Sequence, residues 1–114
     1  ADTDWRQIAA LYDRLLQFAN TPVIVLNHAV AIALSSGLDE GLKRIDALGT
    51  SGELDGYYLF HSARAEILRR MNRPAEAADA YRRALALATN LIERDFLWRR
   101  LKDVEDLLLL QNSS

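Results

Sequence analysis

The residues best suited to chemistry are two histidines and several arginines set in helical patterns. His28 and His61 are the only histidines, and cysteine is absent. A metal site needs three or four ligands, but no carboxylate has a suitable helical spacing from both histidines. No nucleophile, base and orienting acid can be placed together, and no glycine-rich phosphate loop occurs. The sequence therefore predicts a binding protein, with neither catalysis nor a cofactor.

Several polar side chains lie where they could contact a partner. Asn27 has apolar neighbours, so its amide either binds a partner or links internally to a loop backbone; both remain open because a buried amide needs hydrogen-bond partners. His61 lies on an apolar stripe, which favours a hydrogen-bonded core histidine. Arg69, Arg70 and Arg73 end a helix, where their charge offsets the helix dipole or holds an acidic segment of a partner. The candidate partner-binding residues are Asn27, His28, Tyr57, His61, Arg64, Arg69 and Arg94.

Alanine and leucine dominate the chain, and their spacing predicts helices to position these side chains. Trp5, Ile8 and Tyr12 begin the first apolar stripe, while Leu97 and Leu101 lie on the last. Short turns separate the helices, so we expect an all-α fold of about six helices in stacked antiparallel hairpins. The predicted helices span about residues 4–19, 22–35, 39–48, 56–71, 74–88 and 90 onward.

The second predicted helix has a competing interpretation as a buried strand. Residues 22–35 contain no charged residue and several β-branched ones. The segment exceeds ordinary strand length, however, and residues 35–37 resemble a helix C-terminus. A helix that is apolar all round must be covered on several sides, so it is predicted to be central.

A weak internal repeat links two pairs of helices. Ala77, Tyr81 and Ala84 lie 36 residues after Gly41, Ile45 and Leu48, and Ala65 and Leu68 likewise follow Ala29 and Ile32. Small residues let helices approach closely, and a large residue fills the adjoining groove. This spacing resembles a tetratricopeptide repeat of ~34 residues, lengthened by a loop at residues 49–55. A generic amphipathic bundle is the alternative.

The length and net charge of the chain exclude several classes of protein. The 114 residues predict one domain, residues 1–114, that reads as a piece of a longer protein. The net charge of −2, without a basic excess, argues against direct nucleic-acid contact. No run approaches the ~20 apolar residues of a membrane span. With no cysteine, we expect a cytoplasmic location.

Four segments together resemble one bacterial family over nearly the whole chain. They are residues 4–13 (DWRQIAALYD), 26–31 (LNHAVA), 56–65 (GYYLFHSARA) and 89–97 (TNLIERDFL). Their order is similar to that of the tetratricopeptide-like C-terminal extension of certain extracytoplasmic-function (ECF) RNA polymerase sigma factors. That family has Leu-Asn-Arg-Ala-Val-Ala at the second segment, so this chain departs from it at His28.

The resemblance implies an accessory or regulatory domain in transcription initiation. Its partners would be the sigma core domains of the same chain or RNA polymerase, since the parts that bind promoter DNA are absent. A free-standing scaffold for a peptide partner is the second hypothesis, and a small-molecule sensor near Asn27 and His61 is the third. The leucines at residues 107–110 either cap the last hairpin or dock on a neighbouring domain or a second copy, giving a homodimer.

Overall fold

The computed structural model describes residues 4–17 and 21–112, and within them the secondary structure consists of six α-helices with no β-strand. The prediction of an all-α chain is confirmed, and the strand interpretation of residues 22–35 is wrong. The helices are α1 Trp5–Leu16, α2 Pro22–Ser35, α3 Leu38–Gly49, α4 Tyr58–Arg70, α5 Pro74–Leu87 and α6 Leu91–Asn112.

The predicted boundaries agree with these helices to within one or two residues wherever the structure describes them. The end of the first predicted helix, at residues 18 and 19, lies outside the described residues. The helices form two compact units, Ala1–Leu54 and Asp55–Ser114. In the described part of the chain, no helix is both long enough and apolar enough to cross a membrane.

In the first unit, α2 packs against both α1 and α3, as its uncharged sequence predicts. Two caps fix where the helices begin. The Asp4 side chain accepts a hydrogen bond from the Gln7 amide at 3.2 Å, and Thr21 Oγ1 accepts one from the Ile24 amide at 3.3 Å. Pro22 follows at the first helical position, where a backbone N–H would have no acceptor within the helix, so its absence costs no hydrogen bond. Trp5, Ile8 and Tyr12, predicted on the first apolar stripe, are half-buried, whereas Leu15 further along α1 is 46% exposed.

A close approach between α2 and α3 centres on Gly41. A Cβ atom at this position would lie 2.7 Å from Cα of Ala33 and 3.0 Å from the carbonyl oxygen of Ala29. The same face of α3 carries Ile45, which is completely buried. As the repeat spacing predicts, a small residue at position 41 therefore lets α2 and α3 approach closely.

In the second unit, α5 packs against both α4 and α6. Its predicted stripe of Ala77, Tyr81 and Ala84 is completely buried, together with Ala65 and Leu68 of α4. Alternating small and large side chains let the alanines bring the backbones together while the tyrosine ring fills the space between the helices.

Asparagines mark the two turns of the second unit. Asn72 ends α4 with a φ of 59°, a left-handed conformation that asparagine tolerates better than most residues. Asn90 begins α6, and its Oδ1 accepts hydrogen bonds from the amides of Ile92 at 2.8 Å and Glu93 at 3.3 Å. Asn90 is therefore the N-cap of α6. The Glu93 carboxylate accepts a hydrogen bond from the Tyr58 hydroxyl of α4.

Candidate partner-binding site

Asn27 and His28 are neighbours on α2 but have opposite environments. Asn27 is exposed, so the interpretation of its amide as a buried internal link is wrong. The side chain of His28 is 7% exposed, and its Nε2 lies 2.9 Å from Oδ1 of Asp13 on α1, without the alignment of a hydrogen bond. Asp13 itself is 65% exposed. In the first unit, Asn27 is thus the predicted residue that a partner can reach, whereas His28 packs between helices.

Two open clefts adjoin this region of the first unit. One has a volume of about 290 Å³ and is lined by Val25, His28, Arg44, Ala47 and Leu48. The other has a volume of about 520 Å³ and lies between α1 and the end of α2, with Arg6, Asp13 and Ser36 among its lining residues. Their volumes fall near the lower end of those of ligand pockets. Neither Asn27 nor His61, the residues of the predicted sensor pocket, lines either cleft.

His61 has the environment of a hydrogen-bonded core histidine, as predicted. It is 6% exposed, and its Nε2 lies 2.8 Å from the carbonyl oxygen of Asp55. The ring also makes an edge contact with Phe60, with ring centroids 5.2 Å apart. His61 therefore ties the start of α4 to the preceding loop. Among the described residues, no group of three histidine or acidic side chains could hold a metal ion.

Tyr57 and Arg94, two further candidates, lie at the starts of α4 and α6. Tyr57 precedes α4, is half-buried and makes an edge contact with Tyr58. Arg94 donates from one guanidinium nitrogen to the carbonyl oxygens of Leu85 at 2.6 Å and Ala88 at 2.9 Å. These are terminal carbonyls of α5 that the helix itself leaves without partners. Arg94 is therefore a helix cap.

The Tyr58 hydroxyl connects α4 to the first turn of α6. Its hydrogen bond to Glu93, followed by burial and the negative charge of that carboxylate, raises the pKa of Tyr58 to about 12. The phenol therefore stays protonated throughout the physiological range and acts as a donor.

Arg69 belongs to a half-buried polar cluster centred on Glu66, whose side chain is 24% exposed. Tyr81 donates its hydroxyl proton to Glu66 Oε1 at 2.6 Å, and Arg69 donates to Oε2 at 2.9 Å. Arg100 of α6 adds an ion pair, with its Nε 3.1 Å from Oε1. We call Glu66, Arg69, Tyr81 and Arg100 the Glu66 cluster, because one carboxylate joins residues of α4, α5 and α6.

The charge state of the Glu66 cluster follows from its geometry. Burial by itself would raise the pKa of Glu66, but hydrogen bonds from Tyr81 and Arg69 and the charges of Arg69 and Arg100 outweigh it. The pKa of Glu66 therefore lies below its usual value. Burial and the hydrogen bond to Glu66 raise the pKa of Tyr81. The cluster holds one carboxylate and one neutral phenol at pH 7.

The sequence-based prediction missed Glu66 and Arg100, although one signal was available. Glu66 is the only acidic residue within α4, Tyr58–Arg70, where it shares the helix with three arginines. Such an acid is a candidate for an internal ion pair. Arg64, the remaining predicted residue, lies half-buried on the same helix. Among the seven predicted residues, His28, His61, Arg69 and Arg94 make contacts within their own unit, while Asn27 is exposed.

Replacing Glu66 with glutamine should destabilise the second unit by about 1–3 kcal/mol at pH 7, because the charged acceptor of two hydrogen bonds is lost. A carboxylate with a lowered pKa in the folded state stabilises the fold above its unfolded pKa of about 4.5. This stabilisation disappears as the pH falls through the lowered folded value. Urea unfolding followed from pH 7 to pH 2.5 measures both effects.

The matched control for this prediction is Glu40→Gln. Glu40 pairs with Arg44 on the surface of α3, where their side chains are 52% and 44% exposed. We expect a change below about 0.5 kcal/mol, since water screens exposed pairs. Equal losses in the two variants would contradict the role assigned to the Glu66 cluster.

Over the described residues, the fold and these contacts define an all-helical protein in which several polar groups, among them Glu66 and Arg94, join one helix to another. The chain is similar to an uncharacterized protein of Rhizobium meliloti (strain 1021), with 38% identity over 95 residues. The match covers 83% of this chain and 22% of that protein, so the chain spans about a fifth of the length of its relative. No family model matches the chain. No solved structure matches it either.

Proposed function

We propose that this chain is an accessory domain of an ECF-type sigma factor, with a tetratricopeptide-like arrangement in which α2 with α3 and α4 with α5 are the two repeats. The order of four segments that resemble the C-terminal extension of such sigma factors carries the proposal. In the structure, these segments fall in α1, in the middle of α2, at the start of α4 and at the start of α6.

Burial at equivalent repeat positions supports the tetratricopeptide-like arrangement. Gly41 and Ile45 of α3 are buried like Ala77 and Tyr81 of α5, at a separation of 36 residues. Ala29 of α2 and its equivalent in α4 are also buried. The pattern is weaker where Ile32 and Leu48 are only half-buried. Two repeats offer little groove for a free peptide, which favours an appendage that works on its own protein.

The length of the Rhizobium relative is consistent with this role. The matched region is 22% of that protein, so a domain of this kind occurs there within a much longer chain. In this chain, the sigma core or RNA polymerase would contact the first helices of the repeats, α2 and α4, or the terminal helix α6. Asn27 is the exposed candidate on α2, and the net charge of −2 suits a protein partner better than promoter DNA.

Deletion of this domain from its full-length protein tests the proposal. We expect sigma-dependent reporter transcription to fall about 5- to 150-fold, the range of ordinary coupling between sites. Asn27→Ala should also lower transcription, whereas Lys43→Ala, an exposed change outside the resembling segments, should not. Immunoblots would establish equal protein levels.

Three results would overturn the proposal. The first is unchanged reporter output after deletion under inducing conditions. The second is a native gene that encodes no sigma core domain, which would instead favour the free-standing scaffold. The third is a fall in reporter output that disappears once the two proteins are expressed at equal levels. That result would show that the domain affects only the amount of the sigma factor.

A further inference from the structure

The outer side of α6 carries exposed apolar residues at both ends and charges in the middle. The buried side of the helix is formed by Leu97, Leu101 and Val104. On the opposite side, Ile92 is 81% exposed and Leu110 is 69% exposed. The outer strip, as we call it, consists of Ile92, Phe96, Arg99, Asp103, Leu107 and Leu110. These six positions recur at helical spacing and share one side of α6.

The outer strip is symmetric about the middle of the helix. Ile92 and Leu110 lie nine residues before and after position 101. Arg99 and Asp103 lie two residues before and after the same position. Phe96 and Leu107 are centred half a residue further on. A helix with such a strip matches a second copy of itself turned end to end, which is the geometry of a two-fold interface.

We propose that two copies of this chain associate through antiparallel packing of their α6 outer strips. Ile92 of each copy would then contact Leu110 of the other, and Phe96 would pack beside Leu107 of the other. Residues that alternate at spacings of three and four interlock in this manner when two helices pair. The occupant of the strip is therefore a second copy of this chain.

Charge selects the antiparallel orientation over the parallel one. In the antiparallel pair, each Arg99 faces Asp103 of the other copy, giving two attractive pairs, whereas parallel packing would set like charges opposite one another. Within one chain, Arg99 Nε lies 3.1 Å from Asp95 Oδ2, and these side chains are 76% and 60% exposed. Such an exposed pair is weak, so Arg99 can exchange partners at small cost.

A neighbouring apolar side of α6 is a poorer candidate for the same contact. Leu91, Trp98 and Leu109 are 82%, 54% and 68% exposed, and they are also spaced symmetrically. Antiparallel packing on that side, however, would bring Asp95 against Glu105 of the second copy. Two acidic side chains in contact repel, so the outer strip is the favoured surface.

The size of the outer strip predicts a reversible dimer. From Ile92 to Leu110 the helix rises about 27 Å, and its width is about 10 Å. That footprint is smaller than the roughly 800 Å² per partner of a standard stable interface. We therefore expect monomer and dimer to exchange, with dissociation constants in the micromolar range or weaker.

Sedimentation equilibrium of the 114-residue chain from micromolar to millimolar concentration tests the proposal. The expected mass rises from monomer to dimer. Arg99→Glu and Asp103→Arg should each weaken association about tenfold or more, and the double variant should restore it because the charges are exchanged. A wild-type chain that stays monomeric at the highest concentration would overturn the proposal, as would a double variant that is no stronger than the single ones.

Two adjacent leucines give a matched control for the side of the helix involved. Leu110→Glu should weaken association about tenfold or more, whereas Leu109→Glu should change it less than about twofold. The two residues are 69% and 68% exposed, so they differ mainly in direction. Circular dichroism would verify equal helix content. Equal effects of the two substitutions would reject the outer strip, and the measured mass does not depend on transcription.

Discussion

Replacing Gly41 with alanine should destabilise the first unit by about 2 kcal/mol or more. In an open helix, this change would gain about 1 kcal/mol from helix propensity. Here the new methyl group would lie 2.7 Å from Cα of Ala33 and 3.0 Å from the carbonyl oxygen of Ala29. Backbone atoms cannot rotate away, so α3 must separate from α2, and a contact this close should cost about 3 kcal/mol or more, at the upper end of the usual range for overpacking.

Chemical denaturation, combined with amide exchange in α2 and α3, would measure this loss and locate it. Gly56→Ala is the matched control, since a Cβ atom there would have no neighbour within 4 Å. We expect it to be nearly neutral. The double change Ala33→Gly with Gly41→Ala should recover part of the loss, because it removes one of the colliding methyl groups. If Gly41→Ala alone stabilised the protein, the close approach of α2 and α3 would be refuted.

Replacing Tyr81 with alanine should cost about 3–5 kcal/mol, the largest effect expected in the second unit. Tyr81 is completely buried, so the change leaves a cavity where α5 packs. It also removes the hydroxyl that donates to Glu66 at 2.6 Å. Urea unfolding monitored by circular dichroism gives the free energy of unfolding directly.

Tyr81→Phe separates the contribution of the ring from that of the hydroxyl. The phenylalanine ring keeps the packing, while Glu66 retains Arg69 and Arg100 as partners. We expect a loss of about 0.5–1.5 kcal/mol, the usual value of one hydrogen bond. Equal losses for alanine and phenylalanine would show that the ring adds little, contrary to its burial.

Much of the helical layout could be predicted because local signals determine it. Pro22 and Asn90 mark helix starts through backbone rules that act within one turn. The absence of charge in residues 22–35 predicted a central helix, and α2 does contact helices on two sides. The repeat spacing alone predicted that Gly41 and Tyr81 lie where two helices pack together. These features depend on residues close in sequence.

The candidate site was predicted less well because its contacts join distant residues. Asn27 and His28 are adjacent in sequence, yet one is exposed and the other is buried against Asp13. Arg94 reads as a surface cation, but it caps the end of α5. Helical periodicity predicts which side of the helix a side chain lies on, but it does not predict which residue of another helix or loop it contacts. The partners of His28, His61 and Arg94 lie six to 15 residues away along the chain.

The sequence by itself determined that this protein is helical, where its helices begin, and which small residues permit close packing. It also determined the symmetric charge and apolar pattern of α6, because that pattern is a property of one helix. Only the tertiary structure decided that Glu66 joins three helices and that Arg94 caps the end of α5. The physical reason is that propensity and capping act over one turn, whereas burial and ion pairing depend on which helices meet.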